Sequence, residues 1–354
     1  KCGVTFSRLL GHYFELGTMS SDDKIPFNRY YREYHGHRVS DLAVVKSRLE
    51  ESNNQLIYLA GDSSLDNKYW FSDESSAVNG YEDILKPPKS REDIAHWMNT
   101  DIIRKRMKGQ MAVINCAIEE STVGARSCGT LMPQDLFIKD NIRHQDILVI
   151  SVGGNDIALK PTPCTACSVA TLLCCSTTNC LRSSACGCAL PIDDCCYGCA
   201  CGAWSNSLAC PPGLGYLVHL FGVRIESLVK SMLTKTKPKL VLVCMIYFLD
   251  ETPGTSWAET VLNLLGYNRD PAHLQEAIRQ IFRLATQRIS IPGTKVIAVP
   301  LFKVLDGKNT QDYCERVEPS ASGGEKMGKF LVETIQEALD TLELHQSPLM
   351  DRSH

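Results

Sequence analysis

Five short runs of near-continuous apolar residues, at 56–63, 111–116, 146–153, 239–248 and 295–300, alternate along the chain with stretches of helical periodicity. A strand with one solvated face shows polar residues at every second position, so unbroken apolar runs belong to strands covered on both faces. Helices are expected at 39–51, 92–108, 133–143, 216–233, 273–289 and 323–344; in the first, Val39, Leu42, Val45 and Leu49 recur at spacings of three and four. Strands that alternate with helices pair in parallel, and right-handed crossovers lay the helices on both faces. The expected fold class is therefore α/β, a three-layer α/β/α sandwich around a five-stranded parallel sheet.

With 354 residues, 44% of them hydrophobic and 22% charged, the chain is long enough for such a domain and too apolar to be disordered. A formal net charge of -3 without basic runs argues against a nucleic-acid partner. The longest apolar run, 240–249, is about half of the roughly 20 residues a membrane span needs, so no transmembrane segment is expected. Residues 1–38, rich in Tyr, His, Arg and Gly, read as an amino-terminal arm on a domain of residues 39–354. Lys1-Cys2-Gly3-Val4 has neither an initiator Met nor a signal-like apolar segment, as in a processed chain.

An insert at 160–213 interrupts the domain. Twelve of the seventeen cysteines lie between Cys164 and Cys210, where Arg182, Asp193 and Asp194 are the only charged side chains. So small a segment cannot bury much apolar surface, and crosslinks are expected to stand in for a core. Disulfides would place the chain in an oxidising compartment, secreted or in an organelle lumen; thiolate-bound Zn²⁺ is the alternative that Cys-x-Cys and Cys-x-x-Cys spacings leave open. No cofactor and no metal at the reaction site are expected. Because the insert opens directly after Asn155-Asp156, it reads as a lid, as a surface for a protein partner, or as a stapled subdomain without a role at the site.

The chemistry concentrates where strands end. The first run leads into Gly61-Asp62-Ser63-Ser64-Leu65-Asp66-Asn67, the second into a loop reaching Gly124, the third into Gly153-Gly154-Asn155-Asp156. Each has an ordinary reading as a cap, a turn glycine or a loop. Together they supply a hydroxyl nucleophile, Ser63, and three donors for a tetrahedral oxyanion: the Ser63 and Gly124 amides and the Asn155 side chain.

These blocks, in this order, resemble the SGNH (GDSL-type) hydrolase family over roughly residues 55–345 apart from the insert. The resemblance implies a flavodoxin-like sheet and hydrolysis, or acyl transfer, of a small-molecule or lipid ester through an acyl-Ser63 intermediate. It also implies Asp-x-x-His before Pro-Ser near the last helix, with the His as base. Here the stretch reads Glu315-Arg316-Val317-Glu318-Pro319-Ser320, so Glu318 occupies the histidine position and Glu315 the aspartate position. Glu318 as base, assisted by Glu315 or Asp312, predicts activity at mildly acidic pH. The alternatives are a distant histidine (His35, His37, His144 or His219) and a catalytically silent protein that serves as a binding or structural subunit.

Overall fold

The computed structural model describes residues 24–187 and 209–346. Strands β1 (Gln55–Gly61), β2 (Met111–Asn115), β3 (Ile147–Ser151), β4 (Leu240–Met245) and β5 (Lys295–Pro300) form one sheet in the order β5-β4-β3-β1-β2, every pair parallel. This is the flavodoxin-like order expected from the sequence. Successive connections reverse direction between β1 and β3, which opens a crevice at the carboxyl ends of those two strands.

Alternation within the buried strands sorts the core into two layers. Leu56, Tyr58 and Ala60 of β1 face α1 (Val39–Ser52) and α3 (Pro133–Asn141), while Ile57 and Leu59 face α2 (Ile94–Arg104). The last helix, α11 (Ala321–Gln346), which follows α9 (Glu259–Leu264) and α10 (Pro271–Leu284), joins α2 through Met327, Leu331 and Ile335. The expected helix at 216–233 is instead three pieces: α7 (Leu214–Val218), a wide π turn at His219–Arg224, and α8 (Ile225–Met232). The π turn seats Phe221 against Gly153, where an added Cβ would lie 2.7 Å from the ring.

Residues 24–38 lie on the α1 side of the sheet. Tyr30 stacks on buried His37 at 3.9 Å between ring centres, and Gln134 donates to the His37 carbonyl at 2.9 Å.

After α4 (Gly154–Ala158), the insert begins with α5 (Pro163–Cys175) and α6 (Thr178–Ser184). Beyond them, Cys186–Gly187 pairs antiparallel with Ala209–Cys210; Cys188, Cys195, Cys196, Cys199 and Cys201 lie outside the described residues. The disulfide framework expected from the sequence is not found among the described residues: Cys167, Cys174, Cys175, Cys180, Cys186 and Cys210 form no disulfide there. Helical geometry explains part of this, since α5 turns Cys167, Cys174 and Cys175 outward while Val169 and Leu172 face the core. Packing and hydrogen bonds hold this half of the insert instead. Leu172 and Leu181 are buried, Arg283 donates to the Ala185 carbonyl at 2.7 Å, and Ser176 Oγ lies 3.0 Å from His273 Nε2. Among the described residues no single helix is long and apolar enough to cross a membrane, although α5 and α6, bent by 96°, pass that test as a pair.

Candidate active site

Ser63 sits two residues past β1, beside the crevice between β1 and β3. Gly61 makes the exit possible: its φ is +121° and an added Cβ would stand 1.7 Å from the Ser151 carbonyl oxygen. Asp62 then ties the two strand ends together. Its Oδ1 accepts from the Ser64 amide at 3.1 Å and lies 2.6 Å from Ser64 Oγ, and its Oδ2 accepts from the Gly153 amide at 3.1 Å. Burial raises the Asp62 carboxyl, and these donors partly offset the rise.

Ser63 Oγ donates to Glu318 Oε1 at 3.2 Å across 255 residues of sequence. Glu318 lies on a two-residue strand, Glu318–Pro319, paired antiparallel with Tyr313–Cys314. Neighbouring backbone is clamped on both sides: Tyr247 Oη donates to the Val317 carbonyl at 2.7 Å and Asn67 Nδ2 to the Pro319 carbonyl at 3.1 Å. Asn67 Oδ1 in turn accepts from the Ile94 amide, so the first strand-end block fixes the fourth. Burial pushes the Glu318 carboxyl up to about 8, against a smaller lowering from the Ser63 hydrogen bond and with further increases from Asp62 and Asp66. Its Oε2 is buried and accepts no hydrogen bond among the described residues.

Glu315 does not approach Glu318 as the resemblance implied. Left-handed backbone at Glu315 and Arg316 (φ 49° and 66°) turns the chain, and Glu315 Oε2 accepts from the Trp257 amide at 3.2 Å. Asp312 pairs with Lys326 at 2.6 Å. Besides Asp62 and Asp66, a further carboxyl that feels the charge of Glu318 is Glu119, in the loop after β2. Burial pushes Glu119 up to about 9, with Glu318 the leading charge that adds to the rise and Asp66 the next. Trp70 Nε1 donates to Glu119 Oε1 at 2.8 Å, while buried Oε2 accepts nothing among the described residues. Beneath it Asp66 forms a buried ion pair with Lys68 at 2.5 Å and accepts from the Glu119 amide at 3.2 Å. The pair Glu119-Glu120 after the second strand was the available signal, and the family pattern drew attention to Gly124 instead.

Gly124 is likewise corrected. Its amide donates to Asp156 Oδ1 and that of Val123 to Asp156 Oδ2, both at 2.8 Å, so the Gly124 N–H is already committed. In the same loop Glu120 has left-handed backbone (φ 55°), and among the described residues its amide donates to no group; the same holds for the Ser63 amide. Asn155 Nδ2 donates to the Ser121 carbonyl at 3.1 Å, which pins this loop to α4 and leaves the second amide hydrogen uncommitted.

The histidines stand elsewhere. His37 Nδ1 lies 2.8 Å from the Tyr30 carbonyl, exposed His144 Nδ1 lies 2.8 Å from that of Lys237, exposed His35 packs on Tyr34, and His219 is buried in the π turn. Among the described residues none lines the cleft that Ser63, Asn155 and Glu318 share. That cleft is open at its mouth, and beyond the site residues the described residues that wall it are apolar.

No protein-family model matches the chain, and no curated protein matches it. Among solved structures the chain is similar to one described as a GDSL-like lipase from Parabacteroides merdae, at 13% identity and a TM-score of 0.43 over 80% of this chain and 97% of that one. It is also similar to an extracellular lipase from Streptomyces rimosus, at 12% identity and a TM-score of 0.40 over 79% and 98% of the two chains. An acetylxylan esterase from Geobacillus stearothermophilus aligns at 13% identity with a TM-score of 0.42, over 80% and 95%.

Proposed function

We propose that this chain is a serine hydrolase of carboxylic esters, of SGNH type, in which Ser63 is the nucleophile and Glu318 the general base. The observation that carries the reading is the 3.2 Å hydrogen bond from Ser63 Oγ to a buried carboxylate that has no other partner among the described residues. An unperturbed carboxylate is too weak a base to activate a hydroxyl at neutral pH; one pushed up to about 8 is matched to the task above neutrality. Basic pH is therefore the working range, in place of the mildly acidic one expected for a Glu318 assisted by Glu315 or Asp312.

In the forward step Ser63 Oγ attacks the ester carbonyl carbon as its proton passes to Glu318. The oxyanion is held by the Ser63 amide and the free hydrogen of Asn155 Nδ2, while the Gly124 amide foreseen as the third donor is committed to Asp156. Protonated Glu318 gives its proton to the departing alkoxide oxygen, leaving acyl-Ser63 and an alcohol. Water then attacks the acyl carbon, Glu318 accepts its proton and returns it to Ser63 Oγ, and the carboxylic acid leaves.

A fluorophosphonate probe applied between pH 5 and 9.5 tests the assignment. Labelling that rises with pH and is lost in Ser63→Ala and Glu318→Gln supports it. Absence of labelling at every pH supports the alternative of a silent, ligand-binding protein.

A further inference from the structure

We propose that the cleft beside Ser63 holds the acyl chain of a long-chain fatty-acid ester, and that the first helix of the Cys-rich insert forms part of its wall and sets the chain length accepted. The inference rests on the ester-hydrolase reading above and specifies its substrate. Ser63, Asn155 and Glu318 supply the polar end of the cleft. From there the walls are built by Leu172 and Leu173 of α5, Phe221 of the π turn, Ile246 after β4, and Leu274 and Ile278 of α10 (Pro271–Leu284). Apart from Asp62 and Glu318 no charged side chain among the described residues lines the cleft, and the hydroxyl of Tyr247 is committed to the Val317 carbonyl.

The occupant follows from what such walls reward. A sugar or other hydroxyl-rich group entering here would give up its hydrogen bonds to water and find no replacements, which is costly. An alkyl chain gains from every methylene it removes from water. An acetyl group is too small to use the cleft, so a site made only for acetyl transfer would have no need of α5 along one side. The orientation is fixed as well, since the acyl carbon must reach Ser63 Oγ at the polar end while the alkyl tail lies along the apolar walls.

The test uses p-nitrophenyl acetate, butyrate, octanoate and decanoate at concentrations below micelle formation, at pH 8.5, with the wild type and with Leu173→Trp and Leu274→Trp. Both positions are half-buried wall residues, on separate helices. Binding of cis-parinaric acid to the Ser63→Ala chain, followed by fluorescence, reports on the cleft without catalysis. We expect kcat/KM to rise roughly fourfold per methylene from butyrate to octanoate. The octanoate-to-acetate ratio should fall about tenfold or more in each Trp variant, with cis-parinaric acid binding weakened in parallel when either is combined with Ser63→Ala. A flat or falling chain-length profile in a protein whose Ser63 still labels overturns the acyl-chain assignment and leaves the hydrolase reading standing. An unchanged ratio in both Trp variants also overturns it. If no ester is cleaved and Ser63 does not label, the hydrolase reading fails instead. Binding of cis-parinaric acid that the Trp variants weaken then supports an acyl-binding cleft, and absence of binding refutes it.

Discussion

The rate of ester cleavage should follow the ionisation of Glu318. With the carboxyl pushed up to about 8 by burial and by Asp62 and Asp66, the reactive carboxylate is the minor form at neutral pH. It amounts to about 1% of the protein at pH 6, roughly 10% at pH 7, half at pH 8 and about 90% at pH 9. Because the base acts when deprotonated, kcat/KM should climb close to tenfold per unit between pH 5.5 and 7.5 and level off above about 9. Replacing Glu318 by Gln keeps the side chain's size but leaves no group able to accept the Ser63 proton, so kcat should fall about 10²- to 10⁴-fold and the ascending limb should vanish. The assay is initial-rate hydrolysis of a soluble p-nitrophenyl ester from pH 5 to 10, with Ser63→Ala measured alongside to subtract hydroxide-driven cleavage. A limb centred near 4.5, the ordinary glutamate value, would mean that burial does not govern this carboxyl. A limb near 8 that survives in Glu318→Gln would assign the base to another residue.

Three more outcomes follow from the same geometry. Asn155→Ala removes one oxyanion donor and should lower kcat about 10²- to 10³-fold, with KM moved far less; a raised KM with kcat unchanged would assign Asn155 to ground-state binding instead. Glu119, pushed up to about 9 from an ordinary 4.5, binds its proton more tightly folded than unfolded. Its contribution to stability is therefore complete below about pH 4.5, is lost as pH rises, and is gone above about 9, at about 1.4 kcal/mol per unit within that window. Glu119→Gln should flatten the fall of Tm between pH 6 and 9, and a fall as steep as the wild type's refutes the assignment. Gly61→Ala forces a Cβ to 1.7 Å from the Ser151 carbonyl and should leave the chain unfolded or insoluble, as judged by circular dichroism and soluble yield; a wild-type Tm would contradict the close approach of β1 and β3.

The five parallel strands and the position of Ser63 at a strand end were legible because they depend on local pattern, whereas the flavodoxin-like strand order came only from the family resemblance. Unbroken apolar runs such as 147–152 demand burial on both faces, and strands alternating with helices leave few topologies for a parallel sheet. Glu318 could also be read off by its place before Pro319-Ser320 and the last helix. Its pKa could not. A glutamate assisted by Glu315 or Asp312 pointed to mildly acidic pH, whereas desolvation inside the folded chain and the charges of Asp62 and Asp66 move the working range to the basic side.

The residues around Glu318 show where local pattern runs out. Glu315 is three positions away in sequence, yet left-handed backbone at Glu315 and Arg316 swings it to the Trp257 amide. Glu119, almost two hundred residues away, is the carboxyl whose ionisation Glu318 opposes. Gly124 kept its place after β2, but Asp156, from the short helix α4 after β3, took its amide. The cysteines of α5 suggested crosslinks by their number, while the helix turned three of them to solvent and its leucines to the cleft. The sequence alone determined the periodicities, and with them the sheet and the strand ends where chemistry belongs, since these depend on neighbours three or four residues apart. Partners and proton affinities were decided only by tertiary structure, because hydrogen bonding and desolvation depend on which distant segments close over a side chain.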